Sequence, residues 1–226
     1  MDNIYAIIPV SKFENAKTRL SPFLNEKERE KLLKAMLKDV TDSLRKYVDR
    51  IILISADKEV LNYGNKLKID TLKESSNSNL NKAISQAMDY CKDKCKNVII
   101  TPSDIPLIMK IDIDLLIEKI NSYEIIISPS KGGGTNILIL APKIIETEFG
   151  DFSYLKHIKK VEKNKLKYLV YDSFFIALDV NTTEDLGEIM VHGTGSQTRK
   201  YLKDLNIIVE SIHGSERLKV RRDTWL

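Results

Sequence analysis

The chain has 226 residues, of which 42% are hydrophobic and 30% charged, values of a folded soluble protein with enough length to bury a core. Basic and acidic residues number 36 and 32, a net charge of +4, which is too balanced to argue for a nucleic-acid partner and suits small anions. Cys91 and Cys95 make no disulfide framework and lack nearby histidines for zinc, so they read as two reduced thiols on a helix. The opening MDNIYAIIPV has no signal-peptide pattern, and no apolar run approaches the ~20 residues of a membrane span. A cytoplasmic protein without a membrane partner is expected.

In chain order, Tyr5 to Val10 is a short apolar run that predicts a buried strand. The polar loop SKFENAKTRLSPF follows, and Asn25 with Glu28 three residues later predicts a capping box. Leu32, Leu33, Met36, Leu37, Val40 and Leu44 recur at helical spacing behind it. Arg50 to Ser55 is the next strand, then a helix over Val60 to Leu67 and a strand over Ile69 to Leu72. ESSNSN reads as a loop, Leu80 to Cys95 as a helix, and Asn97 to Thr101 as a strand running into Pro-Ser-Asp. A helix over Ile111 to Ile120, a strand over Glu124 to Ser128, a GGG loop and a strand over Ile137 to Leu140 come next. Ser153 to Val161 predicts a helix, Tyr168 to Val180 a longer β-region, and Thr183 the start of a last strong helix. The tail SIHGSERLKVRRDTWL is basic and fits an exposed extension from about residue 205 or an oligomer contact. Buried strands alternating with amphipathic helices predict one α/β domain, a mainly parallel sheet covered on both faces. Ligands of such sheets bind at the carboxyl ends of the strands, which directs attention to the loops after Val10, Thr101, Ser128 and Leu178.

Those loops carry the candidate chemistry. Lys12, Lys17 and Arg19 place cations after the first strand, where a triphosphate would need them; a plain solvated basic loop is the competing reading, and no GK[ST] phosphate loop is present. Asp104, between Pro102 and Pro106, could hold magnesium or simply make an Asx turn. Asp179 ends an apolar run and could complete a metal site, whereas Thr183 to Asp185 fit an ordinary helix start. Lys131 to Asn136 (KGGGTN) lets backbone amides approach an anion, or merely closes a hairpin. Ser153, after Gly150, could cap a helix whose free N–H groups hold a phosphate or carboxylate, or be a plain cap. Asn81 is open to a nucleotide contact or a capping role. Asp112-Ile113-Asp114 has the spacing of a glycosyltransferase metal motif but sits at a helix start. His157, His192 and His213 match no catalytic spacing and read as surface residues.

Taken in order, IPVSKFENAKTRLSPFL, TPSDIPL, GGGTN, FGDFS and DVNTTEDL resemble the motifs of the 2-phospho-L-lactate guanylyltransferase family, and the resemblance runs from Tyr5 to about Leu205. It implies a Rossmann-like nucleotidyltransferase fold, three-layered with a mixed, mainly parallel sheet. It implies GTP and a phosphorylated three-carbon acid as substrates, Mg2+ as cofactor, and a homodimer. By resemblance Asp104 and Asp179 hold the metal, and Lys17 and Arg19, with Lys12 beside them, hold the triphosphate. Asp104, Lys17 and Arg19 would be the catalytic groups, and Thr135, Gly150 and Ser153 would hold the phospho-acid. Asn81 falls where relatives have Gly-Leu-Asn near the nucleotide, with Asn79 in place of the glycine.

Overall fold

The computed structural model describes residues 3–14, 16–75, 79–211 and 218–223. Part of the ESSNSN loop, His213 and much of the basic tail lie outside the described residues.

Strand β1 (Ile4–Pro9) is an interior strand of a seven-stranded sheet. The others are β2 (Arg50–Ser55), β3 (Asp70–Lys73), β4 (Asn97–Ile100), β5 (Ile125–Pro129), β6 (Thr135–Leu140) and β7 (Tyr168–Val170), in the order β3-β2-β1-β4-β6-β5-β7. β1 pairs in parallel with β2 and β4, β2 with β3, and β5 with β7. β6 pairs antiparallel with both β4 and β5, so it alone runs against the rest of this sheet. The strand order reverses between β1 and β4, and a crevice opens there at the carboxyl ends of the two strands.

Helices cover both faces. Alternate β1 residues point opposite ways: Ala6 and Ile8 join one core, Tyr5 and Ile7 the other. On the first face lie α1 (Glu26–Leu44), α2 (Lys58–Lys66), α4 (Lys110–Lys119), α7 (Thr183–His192) and α8 (Gln197–Asp204). On the second lie α3 (Leu80–Cys91) and α5 (Ser153–Lys163). The capping box at Asn25 is formed: its Oδ1 accepts from Glu28 N–H at 3.0 Å, and Glu28 Oε2 accepts from Asn25 N–H at 2.9 Å. The expected stripe of α1 is buried, from Leu32 to Leu44.

Three segments depart from the sequence expectation. The β-region expected over Tyr168 to Val180 is a strand only to Val170, followed by a short helix, α6 (Phe174–Ala177). Polar anchors divert it: the Tyr171 and Ser173 hydroxyls donate to Asp112 Oδ1 at 2.9 and 2.8 Å, and Asn136 Nδ2 donates to Ile176 O at 2.7 Å. The helix expected to reach Cys95 ends at Cys91; both cysteines are free thiols, with Cys91 buried. Finally, α7 is not the last helix. α8 follows it, and then a hairpin of β8 (Ile207–Ser211) and β9 (Leu218–Arg222). This hairpin packs closely on α7. A methyl group placed on Gly187 would come within 3.0 Å of Val220 and 3.2 Å of Leu218, so only a glycine lets the two elements approach this far. Arg222 also makes a two-pronged ion pair with Glu28 at 3.0 and 3.1 Å.

Candidate active site

A cavity of about 610 Å³ occupies the crevice at the β1/β4 reversal. Lys17, Arg19, Asp104 and Asp179 contribute to its wall, as do Thr135, Gly150 and Ser153. The loop after β1 is held by buried Phe13, Ala16, Leu20 and Leu24, and by Arg29, which donates to Ala16 O at 3.0 Å and Leu24 O at 2.8 Å. That leaves Lys17 in a left-handed conformation, φ 51°, with its side chain turned inward. Thr135 and Asn136 reach the same place only because β6 runs backwards, which puts its first residues beside the last residues of β4. Two sequence candidates are not in the wall. Lys12 is exposed on the loop. Asn81 clamps the backbone of Phe149, accepting from its N–H at 2.7 Å and donating to its carbonyl at 2.9 Å. It thereby fixes the wall segment that carries Phe149 and Gly150.

The acids and Lys17 form one network. The Lys17 ammonium pairs with Asp104 Oδ2 and donates to Asn181 Oδ1 at 3.3 Å. Asn181 Nδ2 in turn donates to Asp179 Oδ2. A backbone bond from Val180 N–H to Asp104 O, 3.0 Å, ties the two acidic segments together. The Asp179 loop is fastened from below by buried Asp185, which accepts from the N–H groups of Asn181 (2.7 Å) and Thr182 (2.8 Å) and pairs with Lys131. Asp104 Oδ1 and Asp179 Oδ1 are buried and have no hydrogen-bond partner. Burial, and then the charge of Asp104, push the Asp179 carboxyl above its ordinary pKa. Two carboxylates joined through Lys17 and Asn181, each with a bare oxygen, could hold a cation.

The part of the wall formed by Thr135, Gly150 and Ser153 is uncharged. Ser153 does not cap its helix; it is the first helical residue, and its Oγ donates to Thr135 Oγ1 at 3.2 Å. The first N–H groups of α5 are also taken, Ser153 N–H by Gly150 O (3.1 Å) and Tyr154 N–H by Gly133 O (3.2 Å). Side chains, rather than a bare helix end, therefore face the cavity here. Gly150 has φ 122°, a conformation only glycine adopts without strain. His157, expected at the surface, is fully buried in this wall, 3.0 Å from Thr135 Oγ1. Burial, followed by the charge of Lys160, lowers its pKa from the ordinary 6.5 to about 4. The unfolded chain takes up this proton near pH 6.5 and the folded chain only near pH 4, so the stabilisation is complete above 6.5 and is lost as pH falls through that window. Urea titrations should show wild type losing about 2 kcal/mol between pH 6.5 and 5 from this group, a loss absent in His157→Asn. Equal pH slopes in the two proteins would refute the assignment.

Sequence reasoning passed over Asn181 and His157. Asn181 lies inside the quoted DVNTTEDL motif, two residues from Asp179, and that proximity was the available signal. His157 sits four residues after Ser153 and so on the same helix face, a weak signal in a helix rich in lysine. Asp112, half of the glycosyltransferase-like spacing, is buried and accepts from Tyr171, Ser173 and the Met109 N–H, so its oxygens are committed to structure.

The model of the guanylyl transferase CofC-like family matches residues 4–223. The chain belongs to this family. Among its CofC-like relatives, the 2-phospho-L-lactate guanylyltransferase of Methanobrevibacter smithii is 63% identical over 222 residues, covering 98% of this chain and 99% of that protein. The enzyme of the same name from Methanobrevibacter ruminantium is 56% identical over 234 residues, covering 99% and 100%. The CofC-like fold is that of nucleotidyltransferases: a nucleotidyl transferase from Methanothermobacter superposes with a TM-score of 0.60 at 10% identity, over 90% of this chain and 100% of the other. A Mycobacterium tuberculosis protein crystallised with manganese superposes at 0.56 and 14% identity, over 84% and 98%.

Proposed function

We propose that this chain condenses GTP with (2S)-2-phospholactate to give lactyl-2-diphospho-5'-guanosine and pyrophosphate, a step of coenzyme F(420) biosynthesis. The observation that carries the catalytic reading is the pair of bare, buried oxygens of Asp104 and Asp179 beside the Lys17 ammonium, in a cavity at the strand-order reversal. The substrates follow from the names of the relatives at 63% and 56% identity. They also favour 2-phospholactate over phosphoenolpyruvate or 3-phosphoglycerate, and the commitment of Asp112 disfavours a glycosyltransferase.

The donor set fits a magnesium ion. Among the described residues no group of three or more potential metal-ligating His, Cys, Asp or Glu exists, and two carboxylates completed by phosphates and waters is the usual magnesium arrangement. A fold neighbour crystallised with manganese agrees with a divalent ion. Asp104 and Asp179 would hold it, and bound there it neutralises charge on the triphosphate. Lys17 and Arg19 draw the triphosphate into line and stabilise the departing pyrophosphate. Thr135, Gly150 and Ser153 receive the phospho-acid. A phosphate oxygen of that acid attacks the α-phosphorus of GTP, and the bond to the β-phosphate oxygen breaks. The attacking oxygen is largely anionic at pH 7, since the second pKa of a phosphomonoester is about 6. No general base is required, and alignment with charge neutralisation supplies the rate. The reading includes a homodimer, as the family resemblance implies, and a cytoplasmic location, as the sequence leads one to expect.

The test is pyrophosphate release in magnesium buffer, with each of the four NTPs against 2-phospholactate, phosphoenolpyruvate and 3-phosphoglycerate. Release with GTP and 2-phospholactate is expected. Release with another acid would change the pathway step, and no release from a folded protein would sink the proposal.

A further inference from the structure

His157 is buried, polar and unused by the chemistry above. Its surroundings fix its proton. Nε2 lies 2.9 Å from the backbone N–H of Glu148, which can only donate. Nε2 therefore accepts, and the neutral ring carries its proton on Nδ1. Nδ1 is 3.0 Å from Thr135 Oγ1, so the ring donates to threonine. Thr135 and Ser153 are bonded to each other at 3.2 Å and own two hydroxyl protons. One proton lies between the two oxygens. It comes from Ser153, so both lone pairs of Thr135 Oγ1 are filled, one by His157 and one by Ser153; the Thr135 proton is left over, and both residues line the cavity.

We infer that His157 is a positioning residue that, together with Ser153, makes the Thr135 hydroxyl a donor only, facing the cavity. The polarity runs from Glu148 N–H through the imidazole to Thr135, whose Oγ1 also accepts from Ser153 and so has only its own proton to offer. Such a hydroxyl donates to a ligand acceptor, most strongly to the anionic oxygen of a carboxylate or phosphate, and has no lone pair left for a ligand N–H donor. Which substrate supplies that anion rests on the reading above that this wall takes the phospho-acid. The burial of the ring and its lowered pKa keep it neutral, so the direction holds throughout the neutral pH range.

Steady-state kinetics on His157→Leu, His157→Asn, Thr135→Val and the Thr135→Val/His157→Leu double variant test this. His157→Leu should raise the KM for 2-phospholactate about 10-fold, the scale of one lost hydrogen bond to an anion, with the KM for GTP unchanged. His157→Asn, whose amide nitrogen can stand in for Nδ1–H, should recover most of that loss. In the Thr135→Val background, His157→Leu should add nothing further, because its route to the ligand is gone. Additive effects, or equal changes in both KM values, would reduce His157 to packing and overturn the inference. If Thr135→Val instead changes the KM for GTP alone, the phospho-acid assignment fails. The inference then stands or falls on whether His157→Leu is silent for GTP in that background. Should His157→Leu not fold, the ¹⁵N spectrum of wild-type imidazoles decides the matter: a protonated Nδ1 and bare Nε2 support the inference, and the opposite tautomer ends it.

Discussion

Asp104→Asn is expected to lower kcat by ~100-fold or more, the scale of losing one electrostatic stabiliser of a transition state. Asparagine keeps the shape and can still accept from Lys17. It removes the negative charge that pairs with that lysine and that would bind magnesium through Oδ1. The fold should not suffer. Asp104 raises the pKa of Asp179 by repulsion, and its neutralisation relieves a buried like-charge contact. A melting temperature at or above wild type, together with collapsed pyrophosphate release at saturating GTP, is the expected pair of results. Activity surviving at a tenth of wild type would mean that Asp104 does not hold the metal.

The largest loss of stability is expected elsewhere, at Asp39. This α1 residue is only 9% exposed and anchors the start of α8 across 158 positions of sequence. Its Oδ1 accepts from Gln197 N–H at 2.8 Å, and its Oδ2 accepts from Thr198 N–H at 2.8 Å and from the Thr198 hydroxyl at 2.6 Å. The carboxylate thus satisfies donors that a helix start leaves open and faces the positive end of the helix. Burial pushes its pKa up, and these three hydrogen bonds pull it back. Asp39→Ala leaves all three donors without their partner, at a cost of about 3 kcal/mol. Asp39→Asn keeps one acceptor oxygen for Thr198 but turns an NH2 toward the Gln197 N–H, and should cost less than the alanine, about 2 kcal/mol. Denaturant midpoints with an unchanged slope would measure both. A loss below about 1 kcal/mol for the alanine would show that α8 is held by its apolar contacts alone, chiefly buried Leu202.

Much of this molecule was legible in its amino-acid order. The strand at Tyr5, the Asn25 capping box and the stripe from Leu32 to Leu44 are written in spacings of one to four residues, and each is found where expected. The loops after Val10 and Thr101, and Gly134 just before Thr135, were also recognisable as cavity walls. Misreadings arose where a distant partner overrode a local pattern. Residues 171–180 have strand-like composition, yet Asp112 and Asn136 draw them into α6 and an extended turn. Asn81 reads as a cap or a nucleotide contact, but is taken up by the backbone of Phe149, 68 positions away. The CofC-like family was legible through the order of its motifs, and the match to residues 4–223 agrees.

The sequence by itself determined the elements, the sides they bury and the acids and cations available to a site, because periodicity, caps and turns depend on neighbours a few bonds apart. Only the tertiary structure decided which of those residues meet. The reversal of strand order sets Lys17 against Asp104, and the antiparallel course of β6 carries Thr135 to the same edge. The packing of α5 then buries His157 behind that threonine. Strand pairing and helix packing join positions tens of residues apart, and no local spacing records that choice.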